Sequence, residues 1–154
     1  MKGKTVLLGL VVCLAAAAVC FAADAFTGTW KLNEAKSKIP PGVQKNLTAT
    51  YEDVGDSVKV TLDGIGADGK PTHDVWTGKY DGKDYPVTGN PSSDMRSYKK
   101  IDAHTLEATA KKDDKVVLAA KISVSADGKT RTVVVTQTGA DGKKVTSTAV
   151  YDKQ

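Results

Sequence analysis

The side chains best suited to chemistry in this chain of 154 residues are four aromatic residues in the middle of the sequence, Trp76, Tyr80, Tyr85 and Tyr98. Aromatic rings offer a large apolar surface, and the indole and phenol groups add a polar end that can orient a bound molecule. We therefore predict that these four residues contact a small ligand at one mouth of the fold. The alternative is that the same rings fill a packed core or stabilise pairs between neighbouring strands.

Other chemistry finds little support in the sequence. The two histidines, His73 and His104, lie far apart, and no His-x-His pair, cysteine pair or Glu-His cluster has metal-ligand spacing. The Asp-Gly pairs lack the spaced carboxylates of a calcium-binding loop. There is no Gly-x-Ser-x-Gly elbow, no phosphate-binding loop and no dinucleotide fingerprint. We therefore expect no metal, no cofactor and no enzymatic activity.

The charge is moderate and evenly mixed. Lysine and arginine total 22 against 18 aspartate and glutamate residues, which gives a net charge of +4. Nucleic-acid surfaces need a stripe of one sign with stacking aromatic rings, whereas lysines and aspartates alternate along this chain. We expect a solvated surface whose charges discourage pairing of strand edges, a monomer, and no nucleic-acid partner.

The first 25 residues have the pattern of a secretory signal peptide. Two lysines precede an apolar run from Val6 to Ala23, and the run ends in the A-x-A sequence Ala23-Asp24-Ala25. We predict a signal peptide over residues 1–25, a mature domain over residues 26–154, and export to the periplasm or beyond. An uncleaved membrane anchor and a lipidated cysteine remain alternatives.

Both cysteines, Cys13 and Cys20, lie within the predicted signal peptide. The mature chain therefore has no disulfide and no thiol ligand. We expect no membrane span in it, and we expect packing and backbone hydrogen bonds alone to stabilise it.

The elements that position any site are predicted to be short antiparallel strands. The clearest run alternates Val116, Leu118, Ala120, Ile122 and Val124 with polar or small residues, the period-two pattern of a half-buried strand. Asp-Gly pairs between such runs favour tight hairpins. Connections this short allow only antiparallel neighbours, and closing the meander removes both edges. We predict an all-β, up-and-down barrel of about 8–10 strands in preference to a sandwich, with a single helical turn at residues 33–38.

The start of the predicted mature chain resembles a known group of families. Gly28 and Trp30, in the segment 26–32, resemble the Gly-x-Trp first strand of the calycins, which include lipocalins and fatty-acid-binding proteins. The resemblance implies that Trp30 closes one end of the barrel and that a basic residue of a late strand lies across its ring. Arg131, near the start of the penultimate strand, is our choice for that residue, with Lys153 as the alternative.

The remainder resembles small exported bacterial proteins described as lipocalin-like, chiefly through segments 80–89 and 150–154. By this analogy we expect an exported protein that binds a small apolar or lipid-like molecule inside the barrel. The alternative is a structural or protein-interaction module of the cell envelope, with a filled barrel and a cavity below about 100 Å³. An outer-membrane barrel is disfavoured because charges occupy most strand faces.

Overall fold

The computed structural model describes residues 24–138 and 142–154. Most of the predicted signal peptide therefore lies outside the described residues. The described chain contains ten strands: β1 (Gly28–Leu32), β2 (Lys45–Val54), β3 (Ser57–Ile65), β4 (Pro71–Gly78), β5 (Tyr85–Thr88), β6 (Met95–Asp102), β7 (Thr105–Lys112), β8 (Lys115–Val124), β9 (Thr130–Thr138) and β10 (Lys144–Lys153).

The strands form a closed antiparallel meander. Each strand pairs with its neighbours in sequence, and β10 pairs with β1 to close the barrel. The prediction of an up-and-down barrel of about 8–10 strands is thus confirmed. The helical turn expected at residues 33–38 is a 3-10 turn over Glu34–Lys36, capped by the Asn33 side chain. No helix in the described part of the chain is long and apolar enough to cross a membrane.

Tight turns set the register of the hairpins. Asp113 and Asp114 both have positive φ angles, 49° and 61°, and form the two-residue connection between β7 and β8. Such a primed turn matches the twist of the flanking strands, and aspartate tolerates the left-handed region better than most residues. Gly55, at φ 67°, has the same function between β2 and β3.

The alternation predicted along β8 has one exception at its start. Val116 is 57% exposed rather than inward-facing, and the β7–β8 register shifts between Ala110 and Lys111. Such a shift turns the residues beyond it to the opposite face of the sheet, so Val117 faces the interior in place of Val116.

The two ends of the barrel differ. At one end, here called the closed end, lie the start of β1 and the connections β2–β3, β4–β5, β6–β7 and β8–β9. Phe26, Trp30, Val60, Trp76 and Leu106 are fully buried there. At the other, open end lie the β1–β2 and β5–β6 connections, and the interior beneath them is not filled.

Candidate functional site

A cavity of about 480 Å³ occupies the open half of the barrel. Its depth can be followed along β9, whose inward residues from the closed end to the open end are Arg131, Val133, Val135 and Gln137. All four line the cavity. Arg131 therefore marks the floor and Gln137 marks the mouth.

Small side chains create this space. Four alanines on three strands face the cavity: Ala108 and Ala110 on β7, Ala120 on β8 and Ala149 on β10. A barrel of this size is filled when large side chains point inward and encloses space when small ones do. The wall is completed by Leu62, Leu118 and Ile122, so that most of it is apolar.

The floor consists of Tyr98, Arg131 and Tyr151. The Arg131 guanidinium carbon lies 4.8 Å from the centroid of the Tyr51 ring and 5.0 Å from that of Tyr151. Arg131 Nη2 donates a hydrogen bond of 2.6 Å to the Tyr51 hydroxyl. Its Nε and Nη1 atoms are buried without a hydrogen-bond acceptor among the described residues, and the residue is only 4% exposed.

The phenols beside Arg131 are neutral. Burial raises the pKa of Tyr51 well above 10.0, and the charge of Arg131 opposes this effect without reversing it. Burial likewise raises the pKa of Tyr151. Neither ring can therefore supply a negative charge at physiological pH, and no carboxylate of residues 24–138 or 142–154 forms an ion pair with Arg131.

A second arginine in the cavity wall is fully compensated. Arg96 Nη1 and Nη2 donate to the two carboxylate oxygens of Asp74 at 3.0 Å and 3.1 Å, and the side chains are 8% and 2% exposed. The Asn90 amide donates a further hydrogen bond of 2.8 Å to Asp74. This bidentate pair cancels its own charge inside the barrel.

Polar groups surround the mouth. Loop and strand-end residues supply amide and hydroxyl groups there, among them Gln44, Asn46, Ser92 and Thr138. The hydroxyls of Thr72 and Ser93 also border the cavity and are buried without a partner in the described part of the chain. No group of three or more His, Cys, Asp or Glu residues within the described ranges could hold a metal ion.

The structure separates the four aromatic residues that were predicted to contact a ligand. Tyr98 lines the cavity, whereas Trp76, Tyr80 and Tyr85 pack with Phe26 at the closed end, in a cluster that we call the aromatic plug. The rings of the plug meet edge to face. Tyr98 contacts the plug from the cavity side, and the centroid of its ring lies 4.6 Å from that of Trp76 and 6.1 Å from that of Tyr80. The difference from the expected ligand mouth arises because the end of β4 and the start of β5 lie at the closed end.

The predicted closure residues Gly28 and Trp30 lie at the closed end. Trp30 is fully buried, and its indole nitrogen donates to the Phe26 carbonyl at 2.8 Å. The basic group over its ring is Lys153, at 5.0 Å from the centroid. Arg131 instead points inward near the start of β9 and contacts the rings of Tyr51 and Tyr151. Gly28 leaves room for this contact, since a Cβ there would lie 3.0 Å from Lys153 Cε.

Two residues of the cavity wall, Asp74 and Arg96, were not foreseen from sequence, and Arg131 was expected in a different role. A signal for all three was nevertheless present. Asp74 shares the inward face of β4 with Trp76, and Arg96 shares that of β6 with Tyr98. A charge at an inward period-two position must be paired or serve a ligand, so the alternation pattern by itself marks such residues as candidates.

Comparison with known proteins gives the fold. No protein-family model and no curated protein matches this sequence. Among solved structures, EF1p2_mFAP2b bound to DFHBI is similar with a TM-score of 0.51 and 12% identity, over 86% of this chain and 97% of that chain. A redesigned β-barrel, mFAP1, bound to DFHBI has a TM-score of 0.48 and 15% identity, over 86% and 98%. Lobster apocrustacyanin A1 has a TM-score of 0.43 and 14% identity, over 86% and 63%. The closed ten-stranded meander and the first of these likenesses establish that the described chain has an antiparallel, up-and-down β-barrel fold.

Proposed function

We propose that this chain is an exported protein that binds a small, mainly apolar molecule inside its barrel. The observation that carries the proposal is the cavity of about 480 Å³ with apolar walls and a few polar groups at its floor and mouth. Small-molecule sites in proteins typically have volumes of about 300–1,000 Å³ and this kind of lining.

Two further observations support binding. The alternative of a filled barrel predicts a cavity below about 100 Å³, which is much smaller than the one present. The similar barrel EF1p2_mFAP2b is described as bound to DFHBI, so a barrel of this architecture can hold a small molecule. Export rests on the signal-peptide pattern of residues 1–25 and is tested by the mass of the chain isolated from its host, which should correspond to residues 26–154.

Binding is best tested with a neutral fluorescent probe and a matched pair of variants. N-phenyl-1-naphthylamine is apolar and becomes fluorescent when it leaves water, so it reports occupation of an apolar cavity. Ala120 faces the cavity, whereas its neighbour Ala119 is exposed on the outer face of β8. We expect Ala120→Phe to weaken probe binding by about tenfold, equivalent to about 1.4 kcal/mol, because the ring occupies the ligand's space.

Ala119→Phe is the control, since it adds the same ring to the same strand outside the barrel. We expect its probe affinity to equal that of the wild type. Absence of probe binding by the folded wild-type chain, or equal losses in the two variants, would contradict the proposal. Native mass spectrometry of chain isolated from its host should additionally reveal a bound mass.

A further inference from the structure

We infer that the molecule bound in the cavity carries a carboxylate, which pairs with the Arg131 guanidinium at the floor. This inference rests on the proposed function, because it names the chemical class of the ligand for the same cavity. It adds one charged group to the expectation of a mainly apolar ligand, and it follows from the charges that the barrel encloses.

Charge is the first reason for this inference. Both arginines of the sequence line the cavity, and no lysine of the described ranges does. A guanidinium stays protonated under all ordinary conditions, so Arg131 cannot escape its buried position by losing a proton. Arg96 is compensated by Asp74, but Arg131 has only neutral phenols beside it. A buried charge without a counter-charge is costly, and an anionic ligand would remove that cost.

Hydrogen bonding is the second reason. The two tyrosine rings lie against the guanidinium of Arg131, and the Tyr51 hydroxyl accepts one hydrogen bond from Nη2. Within the described residues, nothing accepts from Nε or Nη1. Native proteins rarely leave buried donors without acceptors, and exceptions often mark a place where a ligand or an ion supplies them.

The number of charges is the third reason. One uncompensated guanidinium matches one negative charge, and the second arginine of the cavity wall, Arg96, is already paired with Asp74. A carboxylate therefore suits the cavity better than a phosphate monoester, which carries nearly two charges. With its acid group at the floor, the apolar body of the ligand would lie along Val133, Val135 and Ala149 toward the mouth.

The experiment compares two ligands that differ in the head group. Dodecanoic acid and 1-dodecanol each displace N-phenyl-1-naphthylamine from the full mature chain near neutral pH, and their inhibition constants are measured. Hydrogen bonds to charged groups predict that the acid binds about 10- to 100-fold more tightly than the alcohol. In Arg131→Met, we expect this preference to fall to about twofold or less, while the alcohol and the probe still bind.

Two further variants make the result specific. Lys121 is exposed on the outer face of β8, so Lys121→Met removes a positive charge from the barrel without touching the cavity, and the acid preference should be unchanged. Arg131→Lys keeps a cation at the floor and should retain part of the preference. It also replaces Arg131→Met as the test if the latter variant does not fold.

The outcomes separate this inference from the proposed function. If the wild-type chain binds neither the probe nor the alcohol, the proposed function is wrong. If it binds both but prefers the acid by less than about twofold, the proposed binding in the cavity is supported and the inference of a carboxylate ligand is wrong. A preference that survives in Arg131→Met would likewise overturn the assignment to Arg131.

Discussion

The ion pair between Asp74 and Arg96 offers a sharp prediction about stability. Asp74→Asn preserves the size of the side chain but leaves the Arg96 charge, which is 8% exposed, without its partner. Breaking a buried pair from one side costs about 3–5 kcal/mol, because the remaining charge is buried and uncompensated. A domain of this size has a free energy of unfolding of about 5–15 kcal/mol, so the variant should fold with a large loss of stability.

The assay is urea unfolding followed by tryptophan fluorescence. The matched control is Asp63→Asn, since Asp63 accepts a hydrogen bond from His73 on the outer face of the same sheet and its side chain is 54% exposed. That exposed pair should contribute about 0–1 kcal/mol. Replacing both buried partners, with Asp74→Leu and Arg96→Met together, should restore stability to within about 2 kcal/mol of the wild type. Equal losses for the two asparagine variants, or a double variant as unstable as Asp74→Asn, would refute this reasoning.

Three other predictions concern the mouth, the closed end and pH. Gly89→Ala should destabilise the chain by about 1–3 kcal/mol more than Gly69→Ala, as measured by urea unfolding. Both glycines have positive φ angles, but a Cβ atom at position 89 would lie 2.2 Å from the His73 carbonyl oxygen, whereas one at position 69 would meet no atom within 4 Å. Lys153→Met should lower the free energy of unfolding by about 0.5–1 kcal/mol through loss of the cation contact with Trp30, and an unchanged value would show that the contact contributes nothing. Burial raises the pKa values of Tyr51, Tyr80 and Tyr151 above 10.0, so the stability that these neutral phenols contribute is complete below that pH and is lost as the pH rises. Tyrosinate absorbance and circular dichroism should therefore change together in an alkaline titration, and ionisation of these tyrosines before unfolding would contradict the assignment.

The barrel was predictable because its signals are local. Alternation along most of β8 and the two-residue turns at Gly55 and Asp113 indicate strand positions from sequence alone, and short connections leave antiparallel pairing as the sole arrangement. Closure follows from the cost of exposed edges. The 3-10 turn at residues 34–36 was visible for the same reason, since Asn33 caps it locally.

The site was less predictable because it depends on which end of each strand faces the cavity. Trp76 and Asp74 share one face of β4, two residues apart, yet Trp76 lies in the aromatic plug and Asp74 in the cavity wall. Period-two alternation shows that a residue points inward but does not give its depth along the barrel. The stagger between strands sets the depth, and it is a property of the whole closed sheet.

The sequence also could not show whether Arg131 or Lys153 lies over the Trp30 ring. Arg131 and Lys153 both lie near the closed end of late strands, and either could reach an aromatic ring. The open space beside Gly28 admits Lys153 to Trp30, while Tyr51 and Tyr151 hold Arg131 inside the barrel. These contacts join residues far apart in sequence, so they emerge only when the strands are assembled.

A crystal structure of the chain with N-phenyl-1-naphthylamine bound would examine the cavity most directly. Our account predicts density for the naphthyl ring inside the barrel, above Tyr98 and against Ala120, Val133 and Ala149. Density confined to the outer surface, or an interior occupied by the chain's own side chains, would contradict it.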